Sequence, residues 1–269
     1  MTLARYELMP FGDAAEQAAR LTSAANLTVT CSPRHGLDAT VAVAEALAAR
    51  GHVALPHLAA RRVRSPAHLR AVLSRLDAAG IDQAVVIGGD GNAPEGPYST
   101  ALELLRELRD LGHPLRATVG ACPEGHPLVA PEALMDSLRA KQPFAEAMTT
   151  QMCFSSTVLI SWLRDARAQG IELPAIVGVP GRVDRQKLLS ISLRIGVGAS
   201  TRYLRKQPGA IGRLLTGGRG AQHEFRYFAL DQARQRELGM VGVHVFTFNR
   251  LHESIAMLEG DDARTARGG

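Results

Sequence analysis

The sequence predicts a single (β/α)8 barrel, a TIM barrel, and three observations predict it. Short β-rich runs alternate with longer amphipathic runs rich in Ala, Leu and Arg. Such alternation means parallel strands joined by helical crossovers. About eight strand-like runs fit in the 269 residues, and a closed barrel of this kind needs about 250. The first run is followed by Pro10-Phe11-Gly12-Asp13, which is no G-x-G-x-x-G fingerprint. That counts against the runner-up, an open doubly wound sheet.

In chain order the expected strands are Ala4–Met9, Leu27–Cys31, Val53–His57, Gln83–Ile87, Arg116–Ala121, Glu146–Gln151, Ala175–Val179 and Val243–Phe248. Helical patterns lie between them at Ala14–Ala24, Ala39–Arg50, Pro66–Ala79, Thr100–Leu111, Pro131–Lys141 and Thr157–Gln169. Asp13 followed by Glu16 has the pattern of a capping box, and Ser65-Pro66 reads as an N-cap with proline at the first helical position. Residues 184–240 are too long for one crossover. Their helical pieces and the breakers Pro208-Gly209 and Gly217-Gly218-Arg219-Gly220 predict an elaborated helical excursion over the barrel mouth, between the last two strands. One domain is expected over residues 1–259, with the polar tail Gly260–Gly269 frayed.

Composition narrows the function classes. Hydrophobic residues make up 46% and aromatics only 4%, so the core must be built from Ala, Val, Leu and Ile. The net charge of +5 is carried mainly by arginine. Its diffuse distribution fits anionic small molecules better than nucleic acid. No apolar run approaches the roughly 20 residues of a membrane helix, and Met1–Pro10 lacks the pattern of a signal peptide. Three cysteines, odd and sparse, suggest a reducing, cytoplasmic setting rather than a disulfide framework.

In such barrels the chemistry sits at the C-terminal strand ends. Glu7 lies in an apolar run, where a charge is costly unless paired or used. It is either a structural carboxylate paired with an arginine or a general acid held protonated by burial. Asp90 follows Gly88-Gly89, which lets the backbone approach a ligand closely; the alternative is an aspartate capping its own turn. Gln151 ends Met148-Thr149-Thr150-Gln151, and an amide that donates and accepts at once suits a heterocycle edge. The alternative is a buried amide satisfied by loop backbone. Thr30, His57, Glu124, His126, Thr247 and Asn249 also fall at strand ends. So do Cys31, Cys122 and Cys153, but without C-x-x-C or similar ligand spacing no metal is expected. Arg202-Tyr203-Leu204-Arg205-Lys206, Arg213 and Arg219 could hold a phosphate or form a solvated face.

These residues resemble, patch by patch, the methylenetetrahydrofolate reductase family. Tyr6-Glu7-Leu8-Met9-Pro10 resembles its opening FEFFPP, and Leu27-Thr28-Val29-Thr30 its VSVTYG. Pro56-His57-Leu58 matches PHL, and Gly88-Gly89-Asp90 resembles RGD. Pro123-Glu124-Gly125-His126-Pro127 is similar to PEVHP, Thr150-Gln151 matches TQ, and Phe246-Thr247-Phe248-Asn249-Arg250 resembles YTLNR. The patches keep their order from Glu7 to Arg250. Thr150-Gln151-Met152-Cys153-Phe154 and Ser192-Leu193-Arg194-Ile195-Gly196-Val197 resemble the shorter, flavin-independent actinobacterial branch most.

The resemblance implies reduction of 5,10-methylenetetrahydrofolate to 5-methyltetrahydrofolate. Glu7 takes the place of the acid that opens the five-membered ring, and Asp90 that of the carboxylate beside the cationic intermediate. Gln151, with Asp90 and Phe154, takes the pterin-binding place. Thr30, His57, Gly89 and His126 are retained at cofactor positions. Three departures bear on the cofactor, one being that the stretch around Lys141 is shortened relative to the family's LKRKVDAGA. Gly88 stands where the family's flavin site has arginine, and Cys122 where it has an aromatic. The resemblance thus implies NADH or NADPH as direct hydride donor, with FAD doubtful. The expected partner is the tetrahydrofolate substrate, with no nucleic acid or membrane, and a homo-oligomer is left open.

Overall fold

The computed structural model describes residues 3–90, 93–126, 128–153, 156–181 and 232–265. Eight parallel strands close into a barrel in chain order. They are β1 (Leu3–Leu8), β2 (Asn26–Val29), β3 (Val53–Ala59), β4 (Gln83–Ile87), β5 (Arg116–Ala121), β6 (Ala147–Met152), β7 (Ala175–Pro180) and β8 (Met240–Phe246). Helices follow or precede them as α1 (Ala14–Ala19), α2 (Gly36–Ala48), α3 (Pro66–Ala78), α4 (Ala101–Asp110), α5 (Pro131–Lys141), α6 (Ser156–Ala168), α7 (Gln232–Glu237) and α8 (Leu251–Thr265). β8 closes the ring by pairing with both β7 and β1.

Strand alternation sorts the side chains. Tyr6, Leu8, Leu27, Val29, Val86, Val119, Val177 and Val245 join helix residues such as Leu37, Leu69, Leu104 and Leu163 in one buried apolar cluster. The alternate positions face the barrel axis. Arg5 demonstrates this, since its guanidinium reaches Thr118 on the far strand β5 at 3.0 Å. Helix α4 shows why these segments are helical. It buries Ala101, Leu104, Leu105 and Leu108, the spacing of one helix face. Thr100 and Glu103 form a capping box at its start.

Several expectations need correction. At Asp13 there is no side-chain cap; its carboxylate instead accepts from Gln17 at 2.8 Å. Ser65 does cap α3, accepting from the His68 amide. Helix α1 stops at Ala19 rather than Ala24, just before Thr22 and Ser23, whose hydroxyls compete for backbone groups. Strand β3 runs on to Ala59. Strand β8 begins at Met240 and ends at Phe246, because Phe248 and Asn249 take left-handed φ angles of 54° and 58°. Helix α8 continues to Thr265, past the Gly260 where fraying was expected. The excursion lies outside the described residues except for its last part, which holds α7. Arg202, Tyr203, Leu204, Arg205, Lys206, Arg213 and Arg219 also lie outside them.

Candidate active site at the barrel mouth

A cavity of about 470 Å3 opens at the C-terminal strand ends, a size that suits a small-molecule site. Its floor is polar. Glu7 faces the barrel axis, and its carboxylate meets Nε2 of His244 at 3.1 Å. Nε2 of His57 stands 3.9 Å from the same oxygen, too far for a hydrogen bond. The hydrogen-bond partner of Glu7 is therefore His244, with His57 close by, and not the arginine that the structural alternative required. Arg5 lies deeper and bonds to Thr118 and Gln83.

His57 is buried, and burial pushes its pKa down to about 4; Glu7 opposes that shift and His244 adds to it. An imidazole with so low a value stays neutral, so it does not hold Glu7 as one half of a fixed ion pair. His57 Nε2 and Thr149 Oγ1 are buried at the cavity without a hydrogen-bond partner. Such groups are costly to leave unmade and invite a ligand or water.

Asp90 and Gln151 line the walls above this floor, from the ends of β4 and β6. Gly89 adopts φ +88°, and a Cβ there would meet the Ala59 Cβ at 2.9 Å, so only glycine lets the β4 loop pass β3 and present Asp90. Arg62 donates to the Asp90 carbonyl and pairs with Glu95 at 2.6 Å, fixing the loop from below. Gln151 sits where β6 departs from regular pairing with β7. Thr150 Oγ1 accepts from the Gly178 amide at 2.8 Å and donates to the Gln151 carbonyl at 2.9 Å. A local irregularity of this kind re-aims a side chain next to a site.

The structure thus brings Glu7, His57, Gly89, Asp90, His126 and Gln151 to one cavity. Thr30 is not in its wall; its amide and carbonyl are bonded to Leu8 and Thr40. Phe154 lies outside the described residues. Thr247 and Asn249 serve the closure of the barrel. Thr247 donates to the Glu7 carbonyl, and Asn249 binds the Met9 amide and the Phe11 carbonyl, each at 2.8 Å. Cys122 lines the cavity beside Lys141. Burial pushes the Cys122 thiol up and the Lys141 ammonium down, each partly offset by the other. Burial likewise raises Cys31 and Cys153. Among the described residues no three His, Cys, Asp or Glu side chains stand together so as to hold a metal ion.

Sequence reasoning missed His244 and Arg61. His244 was hidden because the expected strand started at Val243 and put it at the barrel bottom. Its signal is parity: in register with Arg5 on β1, it must share the inward face of Glu7. Arg61 was hidden because it lies in a 3-10 turn, Ala60–Arg62, just beyond β3.

Fold and cavity together define a (β/α)8 barrel whose mouth gathers two carboxylates, an amide and histidines. The sequence model of one family, Methylenetetrahydrofolate reductase, matches residues 12–183. The chain belongs to that family. Among solved structures, an uncharacterized protein from Clostridium thermocellum that binds two copies of 5-methyl-5,6,7,8-tetrahydrofolic acid superposes with a TM-score of 0.67. It is 13% identical, over 96% of this chain and 94% of its own. Dihydropteroate synthase from Thermus thermophilus, in complex with 6HMPPP, gives a TM-score of 0.52 at 13% identity over 100% and 94% of the two chains. A 2,3-dimethylmalate lyase gives 0.54 at 11% identity over 100% and 83%. At these identities the likeness concerns the fold.

Among the described residues no helix is long and apolar enough to cross a membrane.

Proposed function

We propose that the protein reduces 5,10-methylenetetrahydrofolate to 5-methyltetrahydrofolate with hydride from NADH or NADPH, without a bound flavin. The observation that carries this reading is the convergence of Glu7, Asp90 and Gln151 on one cavity, in a chain of this family. The folate bound by the Clostridium thermocellum protein of the same fold supports it.

The chemistry assigns each group a step. Glu7 protonates N10 as the C–N10 bond breaks, leaving an iminium cation at N5. His244 orients the carboxyl, and neutral His57 leaves it free to gain and lose a proton. The Asp90 carboxylate stabilises the cation, an electrostatic contribution often the largest in catalysis. Gln151 donates to and accepts from the pterin edge. The C4–H bond of the dihydronicotinamide then breaks, its electron pair forms the new C–H bond of the methyl group, and the nicotinamide is oxidised. Holding donor and acceptor together supplies several kcal/mol. Glu7 recovers its proton from solvent.

Two departures from the family resemblance support the flavin-free reading. Where the resemblance places an arginine, Gly88 carries no side chain and leaves open space around its Cβ position. Where the resemblance places an aromatic stands Cys122, a half-buried thiol. Purified protein is therefore expected to be colourless and to oxidise NADH or NADPH only with methylenetetrahydrofolate present. A yellow protein with stoichiometric FAD would overturn the flavin-free part, and absence of turnover with either nucleotide would overturn the activity.

A further inference from the structure

We propose that His244 carries its ring proton on Nε2 and thereby places the transferable proton of Glu7 on Oε1, the oxygen that faces the cavity. This rests on the reading above that Glu7 is the acid that opens the folate ring.

The two oxygens of Glu7 are not equivalent. Oε2 lies 3.1 Å from His244 Nε2 and 3.9 Å from His57 Nε2. Oε1 makes no hydrogen bond among the described residues, and it is not one of the buried atoms left without a partner. Glu7 lines the cavity, so Oε1 is the oxygen a ligand can reach.

His244 is held still. It is 1% exposed, register with Arg5 turns it inward, and its ring packs edge-on against Phe246 with centroids 4.9 Å apart. On that ring Nδ1 is buried without a hydrogen-bond partner. A proton there would be an orphan donor, and buried N–H groups without an acceptor are rarer than acceptors without a donor. On Nε2 the same proton meets Oε2. The hydrogen bonds of the two ring nitrogens decide which of them is protonated, so the proton belongs on Nε2. Oε2 then accepts. In a protonated carboxyl the doubly bonded oxygen is the better acceptor and the hydroxyl takes the other position. The acid proton of Glu7 therefore sits on Oε1. The reverse arrangement, with Oε2–H donating to Nε2, would strand a donor at Nδ1 and turn the acid proton away from the cavity. His57 does not compete, because it stands beyond hydrogen-bond distance of Oε2.

In the ring-opening step N10 takes the proton from Oε1. The electron pair of the C–N10 bond stays with N10 while N5 forms the C=N bond of the iminium, and the O–H pair stays on Glu7. The carboxylate is then held by a charge-assisted bond from Nε2, stronger than the bond to the neutral acid. An interaction that strengthens as the proton leaves favours its leaving. His244 touches no substrate and acts as a positioning residue.

The test has a spectroscopic and a kinetic arm, both on the whole protein. With histidines labelled in the heavy nitrogen isotope, NMR correlation of ring nitrogens with carbon-bound ring protons reports which nitrogen is protonated. Signals lost in His244→Gln identify the residue. A protonated Nε2 and a bare Nδ1 are expected; a proton on Nδ1 overturns the proposal. His244→Leu removes the donor and should lower kcat about ten- to a hundredfold, the effect of losing one charge-assisted hydrogen bond. KM for the folate and for the nucleotide should stay within about twofold. His244→Gln, whose amide can donate to the same oxygen, should recover most of kcat and serves if His244→Leu does not fold. In a Glu7→Gln background the loss of His244 should cost no further kcat. A further loss of about tenfold there, or a folded His244→Gln protein as slow as His244→Leu, overturns the proposal. If the parent protein turns over no methylenetetrahydrofolate, the activity reading fails, and the nitrogen spectra still decide where His244 carries its proton.

Discussion

Arg5 and Glu7 are next inward-facing neighbours on β1, yet their surroundings differ in kind. Arg5 occupies a closed layer. It donates to Thr118 and Gln83, and burial with the nearby Arg116 pushes its pKa down to about 10 despite Glu146. Glu7 occupies an open layer. It has one firm partner, His244, and His57 Nε2, which has no partner, stands 3.9 Å away. The lesson is that burial of a charge does not itself mark function. A satisfied charge ties strands together, whereas an under-satisfied one next to a cavity is poised to meet something else.

Three substitutions test this contrast, taken from the largest effect. Glu7→Gln keeps the shape of the floor and removes the transferable proton. The loss in kcat should reach about 10²–10⁴-fold, the range of general acid catalysis, with little change in the denaturant midpoint. Near-normal turnover would remove Glu7 from the chemistry and make both layers structural.

Next is the pH dependence that His57 brings. Its folded value of about 4 lies below the ordinary 6.5, so between those values the unfolded chain binds the extra proton. Stability from this group is full above about pH 6.5 and is lost as pH falls toward 4. At pH 5 the loss relative to pH 7.5 is about 2 kcal/mol. Denaturant melts at the two pH values should show His57→Asn losing less stability on acidification than the parent protein. Equal losses would mean that His57 is not held neutral.

Arg5→Met acts on the closed layer. It strands the Thr118 hydroxyl and the Gln83 carbonyl and should lower stability by about 1–3 kcal/mol, while kcat at saturating substrates stays close to the parent value. A large fall in kcat without a fall in stability would erase the distinction between the two layers.

Much of the barrel was legible from alternation alone, because each helix pattern needs a strand to cover. Gln83–Ile87, Arg116–Ala121 and Pro131–Lys141 were read to the residue. Glu7, Asp90 and Gln151 were legible because each interrupts a hydrophobic or glycine pattern at a strand end. His244 was not, because Met240-Val241-Gly242 is a weak opening for a strand and parity across the barrel seam is a property of register. Arg61 was not, because it sits in a 3-10 turn past the strand rather than at a strand end. The false capping box at Asp13 had the right letters, but Gln17 takes its carboxylate. The contacts of Asn249 join chain ends 240 positions apart, and no local pattern reports them.

The irregular edge of β6 carries a consequence for how this sequence can drift. A Cβ at position 178 would come within 2.5 Å of the carbonyl oxygens of Thr150 and Gln151. Gly178 lies on the strand behind the amide, yet any larger residue there must push the main chain that carries Gln151. Positions 150, 151 and 178 therefore form one inherited unit. A lineage could exchange most apolar residues of β7 for others of similar size and keep the amide in place. It could not change Gly178 alone.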